Sequence, residues 1–331
     1  MSTPDLEPGA GSRVDAPAAA PEEAPSAEPE RFEEEPLGGA GEVSALGGQM
    51  GAPVGMPGRR KKVGIIYWLA LAWLAIVVIA AITANWLPID DPNHIDVTDR
   101  IARPGHHGHI LGADGLGRDI LARLIFGARV SLIISVVSVT IGMAAGLTIG
   151  MVVGYFRGLL ETVVIAALDI FLAFPPLILL LGLVAFRGQS LSTITVVIGI
   201  LSIPVYTRVA RAVTLAVAQR EYVLAAKAMG AKHRRILFRE IMPNVVLPVL
   251  ALGLVSLGVI IVVEGTLAFL NLSVQRPTAT WGSMIAEGKR HLNTTVHVAL
   301  IPSIAMFLTV LSINFVGDRV RSRFDVRESA L

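Results

Sequence analysis

The chain has 331 residues, 53% of them hydrophobic and 16% charged, with a mean hydropathy of +0.65. Its charges fall between long apolar blocks, which excludes an ordinary water-soluble globule and points to an all-α polytopic membrane protein. A net charge of +2 selects no partner, and the absence of cysteine rules out a disulfide framework, a thiolate metal site and a cysteine nucleophile.

Residues 1–58 hold eleven Asp or Glu and nine Pro with almost nothing aromatic. Such a segment cannot bury enough apolar surface to offset its ordering entropy, so a disordered, acidic, Pro/Ala/Gly-rich tail is expected. The apolar run after Val63 is too long for the core of a cleavable signal peptide. Six windows meet the roughly 20 apolar residues that a spanning helix needs: 63–87, 130–154, 162–185, 191–210, 245–268 and 298–316. "AFPP" at 173–176 should kink the third, because proline removes an intrahelical hydrogen bond. "LGRDILARLIFGAR" at 116–129 reads as an amphipathic segment lying in the interface. The expected layout is therefore a first span and interfacial segment over 59–129, a transmembrane core over 130–316, and a C-terminal tail over 317–331.

"RRKK" at 59–62 abuts the first span and should keep the N-terminus in the cytoplasm. With six spans the C-terminus is cytoplasmic as well, as suits a multi-pass protein of the cell membrane. That topology puts seventeen Lys or Arg on the inner side and nine on the outer. Arg208 and Arg211, at the inner end of the fourth window, read as snorkelling anchors.

The inner loop 211–244 carries "REYVLAAKAMGAKHRRILFREIMPN" at 220–244. From Arg208 to Glu240 there are eight Lys or Arg against two Glu. Tyr222, Ala225, Ala226 and Met229 fall on one helical face. Gly230 is suited to end that helix in a left-handed conformation. A second short helix follows from about Ala231 to Ile241, and Pro243 restarts the chain into the fifth span. Two small residues on an exposed face let a partner's backbone approach closely; a loop that only anchors topology against anionic lipid is the alternative.

Ionisable residues inside spans are functional candidates by default. Asp169 in the third window and Glu264 in the fifth could line a substrate path or form gating pairs, or each could be satisfied by Ser, Thr or Arg on a neighbouring helix. Six of the seven histidines fall on the outer side, including "HHGH" at 106–109. Without an ordered carboxylate shell these read as solvated loop residues, and no metal site is expected. No phosphate-cradling loop is present: "GSMIAEGKR" at 282–290 has one residue too many and lacks the closing Ser or Thr.

The helix–Gly–helix–Pro pattern of Ala225, Ala226, Gly230 and Pro243, followed by Asn244, resembles the coupling loop of the membrane-spanning subunits of bacterial ABC importers. Leu224 stands where that loop has its first Glu, and Glu221 lies one turn earlier. "HILGADGLGRDILARLIFGARVSL" at 109–132, "EGTLAFLNLSVQRPTATWGSMIAEG" at 264–288 and "LSINFVGDRVRSRFDVR" at 311–327 resemble one branch, the second permease subunit of dipeptide, oligopeptide and nickel importers. The resemblance implies a six-helix permease with cytoplasmic coupling helices. It also implies a heterodimer with a second permease subunit, two ATP-binding subunits that hold ATP and Mg, and an extracytoplasmic solute-binding protein. Glu221, Tyr222, Ala225, Ala226, Met229, Gly230, Pro243 and Asn244 would then meet the ATPase, and this chain would itself hold no cofactor, catalyse nothing and bind no nucleic acid. The cargo would be a dipeptide or oligopeptide, with a nickel chelate or another peptide-like solute as the alternative. An ion-gradient-driven transporter using Asp169 and Glu264 as carriers is the rival outside this class.

Overall fold

The computed structural model describes residues 64–328. The expected acidic tail and "RRKK" lie outside the described residues. In chain order the helices are α1 (Ile65–Thr83), α2 (Ile120–Phe156), α3 (Gly158–Ala173), α4 (Pro176–Arg187), α5 (Leu191–Val217) and α6 (Glu221–Ala228). There follow α7 (His233–Arg235), a π-helical turn (Ile236–Ile241), α8 (Met242–Phe269), α9 (Trp281–Gly288) and α10 (His297–Glu328). Among the described residues five helical stretches are long and apolar enough to cross a membrane, and the bent pair α3–α4, taken as one span, makes a sixth.

The break between α3 and α4 turns the chain through 82°. Pro175 and Pro176 remove two successive N–H donors, and Phe174 before them is held extended at φ −78°, ψ 133°. The "AFPP" expectation of a kink thus becomes a full break into two short helices.

The amphipathic segment expected before the second span is corrected by α2, which begins at Ile120 and runs unbroken for 37 residues, about 55 Å. Asp119 starts it as N-cap, its carboxylate accepting from the Ala122 N–H at 2.7 Å. The arginines that made 116–129 look interfacial are taken up by the protein. Arg129 donates to the Ala81 and Ile82 carbonyls at 2.8 and 3.0 Å, and Arg118 and Arg123 are buried in ion pairs. At the other end of the chain α10 continues past the expected limit of 316 to Glu328.

The tightest packing is between α2 and α5. Gly142, Gly146, Gly150 and Gly154 recur every fourth residue on α2 and lie against Gly199, Tyr206, Thr207, Ala210 and Thr214 of α5. A Cβ at Gly146 would sit 2.5 Å from the Tyr206 Cβ, so the two backbones meet with no room for side chains between them. Ser138 Oγ closes the contact by donating to the Thr195 carbonyl at 2.7 Å. A second core joins α1, α9 and α10 through Val77, Trp281, Met284 and Ile313. There Trp73 Nε1 donates to Thr309 Oγ1 at 3.0 Å. The opposite face of α1 exposes Ile65, Trp68, Leu69, Ile76 and Ile79, a surface suited to lipid.

Candidate functional site

Loop 217–241 lies at the end of the bundle where α2 stops and α8 starts, and α6 is its outlying rod. Gly230 ends the rod at φ +77°. Its N–H donates to the Lys227 carbonyl and that of Ala231 to the Ala226 carbonyl, both at 3.0 Å. This is the left-handed stop expected of glycine at that position, with both bonds of a Schellman turn. Tyr222, Ala225 and Met229 are exposed, Met229 by 81%. Ala226 departs from the expected face: it is only 8% exposed and packs with Val223 toward Ile236, Leu237 and Ile241. The geometric reason is that residue 226 sits at the margin of the 222/225/229 stripe, on the side turned toward Val223. Leu224 is exposed, and so is Glu221 beside it.

The rod is fixed from both sides. Asn244 Nδ2 donates to Tyr222 Oη at 3.1 Å and to the Glu240 carbonyl at 2.7 Å, tying the rod to the first turn of α8, where Pro243 also sits. The second helix expected over 231–241 is one turn of α-helix followed by the π turn, and the path runs on into α8. Sequence reasoning missed the second tie. Tyr155, at the end of α2, has its hydroxyl 2.8 Å from His233 Nδ1, and the Lys227 ammonium lies 5.1 Å from the centre of its ring. Nothing in the spacing of residues 78 positions apart announces this contact.

Asp169 meets Arg208 at 2.6 Å, and Glu161 accepts from Arg211 Nε at 2.7 Å. The snorkelling reading of Arg208 and Arg211 is therefore corrected: both reach across from α5 to acids on α3, which supply a nearer partner than the interface. Glu264 is fully buried, and its Oε1 accepts from Ser273 and, at 2.7 Å, from Thr280. Thr280 is also the N-cap of α9. The carboxylate thus anchors the segment that leads from α8 into α9. Glu264→Ala should lower the thermal unfolding midpoint of the solubilised protein, at a cost of about 2–4 kcal/mol, by leaving the buried hydroxyl donors of Ser273 and Thr280 without their acceptor. Glu264→Gln keeps an acceptor oxygen and should cost less than half of that.

At the opposite end of the bundle, loop 84–119 packs against α9. His109 is buried, so it is not the solvated loop residue expected from "HHGH". Its Nδ1 lies 2.7 Å from Asp119 and its Nε2 3.5 Å from Asp99. Burial works against its charge, but the hydrogen bond with Asp119 and the charges of Asp119, Asp99 and Asp90 outweigh it and raise its pKa above the ordinary histidine value. Asp90, His109 and Asp119 offer ligand atoms within 4.8 Å of one another, a grouping that only folding of the loop creates. Nearby, Arg118 bridges Asp114 and Glu287, each at 2.7 Å, and Arg123 lies 3.4 Å from both.

Residues 146–329 match the model of the family described as "Binding-protein-dependent transport system inner membrane component". The chain is 36% identical over 252 residues to the glutathione transport system permease protein GsiD of Pectobacterium atrosepticum, covering 76% of this chain and 83% of that one. It is also 36% identical over 257 residues to GsiD of Escherichia coli O157:H7, covering 77% and 84%. Among solved structures, an inward-facing form of the MetNI methionine ABC transporter superposes with a TM-score of 0.50 at 22% identity. That match covers 60% of this chain and 95% of the other, and it shows likeness of fold.

Proposed function

The chain belongs to the binding-protein-dependent transport system inner membrane component family, and from that premise we propose that it is the permease subunit of an ATP-driven importer of short peptides or peptide-like solutes. GsiD, at 36% identity, transports glutathione as its name states, and a peptide-type cargo follows by analogy. The observation that carries the mechanism is the α6 rod: exposed at Tyr222, Ala225 and Met229, stopped at Gly230, and held against long helices by Tyr222–Asn244 on α8 and by Lys227 over the Tyr155 ring of α2. Two ATP-binding subunits hold ATP and Mg and press on this rod. A second permease subunit completes the path, and a solute-binding protein delivers cargo from outside. Loop 217–241 and both termini face the cytoplasm in this reading.

Closure of the ATPases on nucleotide displaces α6. Because Asn244 bonds it to α8 and its Lys227 packs on the Tyr155 ring of α2, those helices move with it as rigid bodies between two discrete packings. The side chains of this chain bind, orient and transmit; hydrolysis belongs to the partner. An ion-gradient mechanism would need free intramembrane acids, and Asp169 and Glu264 are both engaged within the protein.

The cysteine-free sequence makes the test direct. A photo-reactive maleimide placed on Ala225→Cys or Met229→Cys should cross-link the intact assembly to an ATP-binding subunit, while Ala226→Cys should resist labelling because the side chain is buried. Absence of any cross-link from 225 and 229 in an assembly that still hydrolyses ATP defeats the proposal.

A further inference from the structure

A cavity of about 270 Å³ opens between loop 84–119, α9 and the turn that follows it. Its floor is the ion-pair set already described, in which Arg118 and Arg123 face Asp114 and Glu287. Two guanidiniums meet two carboxylates there, so the floor is neutral. The rim adds Arg100, Arg276 and Arg290, and among the described residues no further acid lines the space. Five arginines therefore face two carboxylates, leaving an excess of three positive charges around one small cavity.

The two acids have little left to offer the rim. Asp114 already accepts from the Leu116 and Arg118 N–H groups at 2.8 and 3.1 Å as well as from the Arg118 side chain. Glu287 serves Arg118, Arg123 and Arg276 at once. Among the described residues, no ion pair uses Arg100 or Arg290. Clustered guanidiniums repel one another unless an anion joins them, and their planar forks match a carboxylate in two-point geometry. His291 covers one side of the space, seated over Gly115, where a Cβ would lie 2.5 Å from its Nε2. The volume falls just below the ~300 Å³ at which pockets begin to take drug-sized ligands, so it suits a small molecule.

We propose that this cavity is a binding site for a small organic carboxylate, gripped by Arg276 and Arg290 with Arg100 opposite. A carboxylate of one or two charges stays within the excess of three, and its planar oxygens match the guanidinium forks in two-point geometry. The proposal goes beyond the transport reading, since it rests on the charge and shape of the cavity alone. The carboxylate has two possible sources, a free acid in the medium or the C-terminus of a peptide cargo.

Calorimetric titration of the purified full-length protein with succinate at constant ionic strength, with chloride as control, tests it. Succinate should bind saturably. The R276Q/R290Q pair should weaken Kd at least tenfold without moving the unfolding midpoint measured in its absence, because both side chains are exposed. R276K/R290K keeps the charge but loses the fork, and should recover only part of the affinity. Displacement of succinate by dialanine but not by dialanine amide makes the occupant a peptide C-terminus; displacement by neither makes it a separate small acid. Absence of saturable binding, undiminished binding in R276Q/R290Q, preference for phosphate, or equal displacement by the amide each overturns the site. None of these outcomes touches the contact between α6 and the ATPase, which the cross-linking experiment judges separately.

Discussion

Leucine at position 146 should leave almost no folded protein to purify. The Cβ alone would lie 2.5 Å from the Tyr206 Cβ and 2.9 Å from both the Ile203 carbonyl and the Thr207 nitrogen. Two of those three atoms are backbone, so no rotamer change relieves the clash. Overpacking a core costs about 1–3 kcal/mol where side chains can shift. Here α2 and α5 must separate along their length, and the loss should exceed that range. Gly182→Ala, where a Cβ meets nothing within 4 Å, should behave as wild type and serve as the control. Monodisperse yield after detergent extraction, read for both variants side by side, decides the matter. Wild-type yield of Gly146→Leu would mean that α2 and α5 do not pack as described.

Ala225→Glu should do the opposite: preserve the protein and abolish ATP-driven uptake. Position 225 is exposed on α6, and glutamate is a good helix former, so folding should change by a few tenths of a kcal/mol at most. A partner seated on that face would have to bury an unpaired carboxylate, which costs several kcal/mol and corresponds to at least a hundredfold loss of the docked state. Gly230→Val should give a similar loss by another route, because a β-branched residue at φ +77° is strained and the rod would change direction. Uptake into vesicles containing the whole assembly, normalised to the amount of permease present, is the measurement. Normal uptake by Ala225→Glu would remove α6 from the coupling path.

The contrast between Ala225 and Ala226 shows what a sequence can and cannot say about the rod. Helical spacing places both near one stripe with Tyr222 and Met229, and Gly230 marks the end of the helix correctly because left-handed backbone is a property of the residue itself. Which of the two alanines turns outward depends on where Val223, Ile236 and Ile241 gather, and their burial is decided by the helices beneath. The arginines make the same point. Arg208, Arg211, Arg118 and Arg123 each looked like interface residues by position, yet each has an acid waiting on another element, Arg118 on a residue 169 positions away.

The sequence by itself determined that this is a multi-pass helical protein, roughly where its spans lie, where Pro175 and Pro176 break one of them, and which loop carries the rod. Those features come from hydropathy runs and from backbone preferences of Gly and Pro, forces that act within a turn or two of the chain. Only the tertiary structure decided that α2 runs unbroken from Ile120, that Ala226 turns inward, that Tyr155 grips His233, and that five arginines converge on one cavity. Each of these depends on which helices lie side by side. In a chain where nearly every segment is apolar, that choice rests on small residues and buried polar partners brought together from distant positions.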